Sequence, residues 1–445
     1  MSESHHTADE QDQARAMAQE AVICVTGLGY VGLPLAYEFD RIGHDVIGFD
    51  IDPERIDQLR SGIDPTGDIG HSEIAEADIE FTTDEDAIEA ADFVLIAVPT
   101  PVDEMKNPNL EYVQSAGEMV GRHITRETTV VLESTVYPGA TREILTPALE
   151  EASGLTAGED FFVGYSPERM VPGDEEHGLR NVVKVVSGQD EEVLEAVASL
   201  YEGIVDAGVH RAPSIEVAEA SKCVENTQRD INIALVNELA IASENLGIDG
   251  RAVLEAAKTK WNFHDYRPGL VGGHCIPVDP FFMVYQSERN GYSPKLIQQA
   301  REVNEFMPKH VGELVLKTMN DCGTVPREST VLVLGLAYKP GVADVRTSAV
   351  DGTIDYLREY DVEVVGFDPY ADNDEMREEF GIEIQEQISF AGVDGILLAT
   401  PHDLFLGIDY RSAAIEMGEN PFVLDVDGVI DADEMEAYGF EYRVV

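Results

Sequence analysis

Val22-Ile-Cys-Val-Thr-Gly27-Leu-Gly29-Tyr-Val-Gly32-Leu-Pro34 is the stretch from which the fold is read. An apolar run, Val22 to Val25, leads into glycines spaced G-x-G-x-x-G, a helical pattern from about Leu33 to Ile42, and a second strand-like run, Asp45 to Phe49, that ends in Asp50. Three glycines alone are a weak signal. Strand, glycines, helix, strand and an acidic residue about 20 positions on together predict a dinucleotide-binding βαβ unit. Gly27 serves the tight turn, Gly29 lets a pyrophosphate reach the helix N-terminus beside Tyr30 and Val31, and Gly32 lets helix pack on strand. Asp50 is suited to accept hydrogen bonds from the adenosine ribose hydroxyls and to repel a 2'-phosphate, which favours NAD over NADP; a strand-end Asp can also be only a helix cap. Arg55 either lies over the adenine or is solvated.

Further strand-like runs follow at Phe93 to Val98, ending in Pro99-Thr100-Pro101, and at Thr129 to Leu132, ending in Glu133-Ser134-Thr135. Ligands of open parallel sheets sit beyond strand carboxyl ends, so these termini belong beside the nicotinamide half of the cofactor. Tyr165-Ser-Pro-Glu168-Arg169 follows a run at Phe161 to Gly164. From Thr330 the chain repeats itself: Val331-Leu-Val-Leu-Gly-Leu-Ala-Tyr338 echoes Val22 to Tyr30, Val365-Gly-Phe-Asp-Pro369 echoes Ile47 to Ile51, and Leu397-Leu-Ala-Thr-Pro401 echoes Leu95 to Pro99. A second doubly wound sheet is expected. Its Ala337-Tyr338-Lys339 lacks the glycine fingerprint, so it is either a non-binding scaffold copy or a site for another nucleotide, with Lys339 and Arg346 facing phosphates.

Between the copies a helix is predicted over Ser214 to Leu246, with apolar residues at Val217, Val224, Ile231, Leu235, Leu239 and Ile241. Lys222, Asn226 and Arg229 fall on one of its faces. Some 30 helical residues span about 45 Å, enough to join two domains and offer a dimer surface. The expected architecture is α/β: two Rossmann-like doubly wound parallel-sheet domains joined by a central helical domain with a long connecting helix. The boundaries are 21–212, 213–318 and 319–445, after a disordered acidic tail at 1–20.

The chain carries 86 acidic against 30 basic residues, a formal net charge of -56. This excludes nucleic acid and anionic membranes as natural partners. Lysine has nearly vanished, with nine in 445 residues, in favour of carboxylates that stay hydrated in concentrated salt. The pattern points to a halophilic, cytoplasmic protein. No apolar run is long enough to span a membrane. Cys24, Cys223, Cys275 and Cys322 show no zinc-ligand spacing, so no metal is expected, and they suit a reducing compartment.

Arg267-Pro-Gly-Leu-Val-Gly272-Gly273-His274-Cys275-Ile-Pro-Val-Asp279-Pro280 presents a thiol in a loop of glycines and prolines. Its glycines permit backbone angles closed to other residues and let a ligand approach the main chain. Hydride transfer alone needs no thiol. A primary alcohol oxidised once gives an aldehyde, which a Cys275 thiolate can capture; loss of a second hydride leaves a thioester that water cleaves to an acid. Such a thiolate needs a nearby cation, and Lys222 is the candidate; it can equally stabilise the oxyanions, with Asn226 holding a water or the same oxygen. Asp279 can orient Lys222 and relay protons, and Glu168 can activate the hydrolytic water or be an ordinary loop carboxylate.

These residues resemble the UDP-glucose/GDP-mannose dehydrogenase family from about Val22 to the C-terminus. The resemblance rests on Gly27-Leu-Gly-Tyr-Val-Gly-Leu-Pro34, Glu133-Ser-Thr, Ser166-Pro-Glu168-Arg169, Lys222 with Asn226, Gly272-Gly-His-Cys275 with Asp279, and Lys339 with Asp344-Val-Arg346. It implies an NAD-dependent four-electron oxidation of a UDP-sugar by a homodimer or higher homo-oligomer. It also implies catalytic roles at Cys275, Lys222, Asn226, Asp279 and Glu168. Arg346 is implied at the cofactor, and Arg169, Arg229, Arg267, Gly272, Gly273 and Lys339 at the substrate. His274 and Val278 stand where UDP-glucose members have Ser and Lys. The loop and Glu225-Asn-Thr-Gln-Arg-Asp-Ile-Asn-Ile-Ala234 look like the UDP-N-acetylhexosamine 6-dehydrogenases of surface polysaccharide pathways. UDP-N-acetylglucosamine is the expected substrate, with UDP-N-acetylgalactosamine, UDP-N-acetylmannosamine and UDP-glucose as alternatives. Two rival readings are a two-electron dehydrogenase with a structural Cys275 and a nucleotide-sensing scaffold.

Overall fold

The computed structural model describes residues 21–103, 105–171 and 176–445; the expected tail, 1–20, lies outside the described residues. The described residues form two compact units, one made of those up to Glu225 with Phe281–Ser293, the other of Asn226–Pro280 with Pro294–Val445.

In the first unit β1 (Val22–Thr26) enters the glycine loop and α1 (Gly32–Arg41), and β2 (Asp45–Phe49), β3 (Glu80–Thr82), β4 (Phe93–Ile96), β5 (Thr129–Leu132), β6 (Phe162–Tyr165), β7 (Lys184–Gly188) and β8 (Val209–Arg211) follow. They make one sheet of order β3-β2-β1-β4-β5-β6-β7-β8. Residues 23–26 of β1 are fully buried, because helices on both faces leave no strand surface to water. Ile23, Val25, Leu28, Leu33, Phe39, Leu95, Val131 and Tyr201 belong to one buried cluster. The expected doubly wound parallel sheet is present, with one antiparallel pair in it. β7 runs antiparallel to β6, with Gly164 opposite Gly188 and Tyr165 opposite Ser187. Among the described residues no helix joins that pair, and parallel pairing requires a crossover. The helix Glu191–Glu202 does link β7 to β8, which are parallel.

The second unit holds β9 (Thr330–Leu334), β10 (Glu363–Phe367), β11 (Glu383–Ile384), β12 (Gly395–Leu398), β13 (Phe422–Asp425) and β14 (Glu441–Val444) in the order β11-β10-β9-β12-β13-β14, every pair parallel. This repeats the order of β1 to β6. Alternate residues of β9 serve opposite faces: Val331 and Val333 pack with Val311, Leu314 and Met319, whereas Leu332 and Leu334 pack with Phe405, Tyr410 and Ala413.

The long helix is α2 (Ile215–Leu246), 32 residues, as predicted within a residue at its start. Its apolar and polar residues are buried in an unexpected order. Val217, Val224, Leu235 and Leu239 are exposed, while Asp230 and Asn237 are fully buried. Their partners lie on α3 (Lys295–Cys322): Arg301 Nη1 donates to Asp230 Oδ1 at 2.5 Å, Asn304 Nδ2 to the same oxygen at 2.8 Å, and Asn237 Nδ2 to Asn304 Oδ1 at 2.8 Å. A buried polar residue is tolerated only when such partners are present, and sequence periodicity cannot see them.

Candidate active site

The glycine loop of the first unit has the geometry its spacing demands. Gly27 sits at φ +90°, and a Cβ on Gly32 would lie 1.9 Å from the Gly27 carbonyl oxygen, so α1 packs on β1 as only glycine allows. A Cβ on Gly29 would meet only Arg55, at 3.7 Å, which leaves open space on the loop. No side chain caps the N-terminus of α1. Open space beside uncapped backbone N–H groups suits a pyrophosphate. Asp50 is not a helix cap; Asp52 fills that role, accepting from the Glu54 and Arg55 N–H groups. Asp50 Oδ2 accepts from Leu28 N at 2.8 Å and its Oδ1 from Asp52 N at 3.0 Å. Arg55 reaches back to within 3.6 Å of Asp50. Tyr30 is exposed and Val31 half-buried beside the same loop. Pro99 and Thr100 follow β4, and Ser134 and Thr135 follow β5. The Ser134 hydroxyl ties the two ends together, donating to Val98 O at 2.6 Å and accepting from Val98 N at 3.0 Å.

Glu168 is not an ordinary loop carboxylate. It is buried, and its Oε1 accepts from the Arg169 and Met170 N–H groups, while Lys184 Nζ donates to its Oε2 at 2.9 Å. Lys184 also donates to Glu133 Oε2 at 2.7 Å, and the Tyr201 hydroxyl donates to Glu133 Oε1. Burial raises the Glu168 pKa, but Lys184 and the two N–H groups outweigh it and hold the carboxyl below its ordinary range. Burial likewise raises Glu133, there without being overcome. The Lys184 ammonium is opposed by burial yet held above the usual lysine range by both carboxylates. This buried network escaped the sequence reading. Its one available signal was a lysine opening a hydrophobic strand in a chain nearly without lysine. Arg169, expected at the substrate, has its guanidinium on Glu225, at 2.8 Å, and on Val183 O, at 2.6 Å. Lys222 is half-buried on α2.

In the second unit the structure brings Cys275, Asp279 and Asn226 together. The Cys275 carbonyl accepts from Val278 N at 3.1 Å and Asp279 N at 2.9 Å, and Asp279 Oδ2 takes Asn226 Nδ2 at 2.5 Å. Asn226 is thus held by Asp279. Cys275 is exposed, whereas Cys24 and Cys223 are buried. Burial pushes the Cys24 thiol up to about 12, which makes it inert. The loop glycines also lie tight against the chain itself. A Cβ on Gly272 would stand 3.0 Å from Thr347 O, and one on Gly273, at φ +91°, 2.9 Å from the Tyr338 ring. Both glycines approach the chain's own segment 338–349. Gly273 N donates to Thr347 O at 3.1 Å, and the His274 ring meets Tyr338 edge-on. Lys339 is exposed in that segment; Arg346 is exposed, with its guanidinium on Asp344 at 2.8 and 2.9 Å. Arg229 and Arg267 are exposed too. Arg267 lies near Asp427, whose carboxyl burial pushes up to about 6 even though Arg251 and Arg267 oppose the shift.

Comparison with known proteins bears on the whole constellation. Residues 21–205 match the NAD binding domain of the UDP-glucose/GDP-mannose dehydrogenase family, 216–306 its central domain and 332–432 its UDP binding domain. The chain belongs to the UDP-glucose/GDP-mannose dehydrogenase family. It is an oxidoreductase that uses NAD, and the resemblance read from its motifs holds over all three segments. Protein CapL of Staphylococcus aureus is 46% identical over 415 residues, covering 93% of this chain and 97% of that protein. The UDP-N-acetyl-D-glucosamine 6-dehydrogenase of Pseudomonas aeruginosa is 43% identical over 416 residues, covering 93% and 98%. Among solved structures, the UDP-D-ManNAc dehydrogenase of Pyrococcus horikoshii aligns with a TM-score of 0.85 at 30% identity, covering 95% of this chain and 99% of that one. Among the described residues no helix is long and apolar enough to cross a membrane.

Proposed function

We propose that this enzyme oxidises the C6 alcohol of UDP-N-acetylglucosamine to the uronic acid in two NAD-dependent steps, with Cys275 carrying the carbon between them. One observation carries the reading: Cys275 is an exposed thiol whose carbonyl is tied to Asp279, and Asp279 holds Asn226. Gly27, Gly29 and Gly32 would hold NAD with Asp50 toward its ribose, and two NAD molecules, bound in turn, would supply the acceptors for the two hydrides. The aldehyde left by the first oxidation is attacked by the Cys275 thiolate, forming a C–S bond and an alkoxide that takes a proton. Loss of the second hydride from the same carbon, with release of that hydroxyl proton, leaves a thioester. Water attacks that carbonyl, the C–S bond breaks, and the acid leaves with the thiolate restored.

Lys222 supplies the cation that favours thiolate and alkoxide, standing one helical turn before Asn226 on α2. Glu168, kept anionic by Lys184, is a weak base; in this reading it accepts a hydrogen bond from the hydrolytic water and so orients it. The uridine diphosphate rests on the second unit near Lys339 and Arg267. N-acetylglucosamine as the sugar is supported by the relatives at 43% and 44% identity that bear that activity in their names.

The enzyme assembles as at least a homodimer through the outward apolar residues of α2, Leu235 at 53% exposure and Leu239 at 39%, together with Trp261 at 92%. It works in the cytoplasm of a salt-adapted cell and feeds surface glycan synthesis. The deciding experiment assays UDP-N-acetylglucosamine, its C2 and C4 epimers and UDP-glucose in about 1 M salt, counting NADH per sugar. Two NADH per UDP-N-acetylglucosamine are expected. One per sugar, or preference for UDP-glucose, overturns the reading.

A further inference from the structure

His402, fully buried in the second unit, takes no part in the chemistry above, yet its two ring nitrogens hold the segment that carries Lys339. Nδ1 accepts from Gly341 N at 3.0 Å, so the proton lies on Nε2, which donates to Asp368 Oδ2 at 2.9 Å. Asp368 also accepts from the Leu336 and Ala337 N–H groups on Oδ2 and from those of Tyr370 and Ala371 on Oδ1.

The internal repeat shows what is unusual here. Asp368 repeats Asp50, and His402, following Thr400-Pro401, repeats Thr100. Asp50 likewise ties its loop through Leu28, but among the described residues no imidazole is hydrogen-bonded to it. In the second sheet both side chains of the pair are 0% exposed. The carboxylate that accepts a ribose diol in a dinucleotide fold is therefore occupied by the protein itself. The imidazole that occupies it reaches, through its other nitrogen, the backbone two residues past Lys339.

We infer that His402 is a positioning residue for the nucleoside diphosphate. It seals Asp368 against a dinucleotide ribose and, by accepting from Gly341, fixes the loop that aims Lys339 at the phosphates. The inference rests on Lys339 binding the nucleotide.

The two nitrogens can be replaced one at a time. Asparagine places its oxygen near imidazole Nδ1, and glutamine places its nitrogen near Nε2. His402→Asn therefore keeps the acceptor for Gly341, and His402→Gln keeps only the donor to Asp368. Affinity for UDP by calorimetry, and KM for UDP-N-acetylglucosamine and for NAD, are measured on the full-length enzyme. His402→Gln should weaken UDP and raise the UDP-sugar KM roughly fivefold or more, the scale of one ordering hydrogen bond, with KM for NAD unchanged. His402→Asn should restore both to near the wild-type values. Unchanged UDP affinity in His402→Gln, an equal rise in KM for NAD, or His402→Asn binding UDP as poorly as Lys339→Ala overturns the inference. Lys339→Ala separates the two layers. If it leaves UDP affinity intact, the underlying reading falls and this inference with it; if it weakens UDP while His402→Gln does not, only the assignment of His402 fails.

Discussion

Cys275 is set apart from Cys24 and Cys223 by exposure, and exposure decides whether a thiol can meet a carbonyl. Replacing it with serine should abolish acid formation while the fold and NAD binding persist. A Cys275→Ser enzyme that still releases two NADH per sugar would show the sulfur to be structural. Glu219 offers a pH test at the same scale. It accepts from the Gly139 and Thr141 N–H groups and from the Thr141 hydroxyl, and burial pushes its carboxyl up to about 7. A carboxyl raised on folding contributes stability that is present in acid and lost as pH rises through the folded value. The melting temperature of wild type relative to Glu219→Gln should therefore fall between about pH 5 and about pH 8; a constant difference would count against the burial argument. Lys184 is the third case. Removing it as Lys184→Met leaves Glu133 and Glu168 buried together without their cation, and denaturant unfolding should show a loss of about 3 to 5 kcal/mol.

At the scale of elements, the β1–α1 junction and α2 make opposite demands on their residues. Gly32 stands so near the Gly27 carbonyl that a methyl group cannot enter without displacing the loop. Gly32→Ala should raise the KM for NAD at least about tenfold while UDP affinity, measured by calorimetry, stays the same; that degree of loss follows from a phosphate cradle moved off its ligand. On α2 the exposed Leu235 and Leu239 form the surface on which a second copy is proposed to sit. Leu235→Glu with Leu239→Glu should give a monomer by light scattering, and a mass unchanged from wild type would place the interface elsewhere.

Across the whole molecule the governing quantity is charge, -56 over 445 residues. Self-repulsion of that size is bearable only when salt screens it. Dilution of the salt should lower the melting temperature and the activity together, and an enzyme indifferent to dilution would not be salt-adapted.

What the sequence determined by itself was whatever local geometry or repetition enforces. Glycine spacing, the acidic residue ending β2, and apolar runs of strand length marked the first sheet, and their echo from Thr330 marked the second. The cysteine loop declared itself through residues too small to be core. Tertiary structure alone decided the rest, because it depends on partners far apart in the chain. Lys184 became a buried cation between Glu133 and Glu168, 51 and 16 positions away. The glycines beside Cys275 pack against segment 338–349, and α2 buries Asp230 and Asn237 because α3 supplies their hydrogen-bond partners. A polar residue looks solvated in sequence until the fold brings a matching group to it, and no periodicity encodes that meeting.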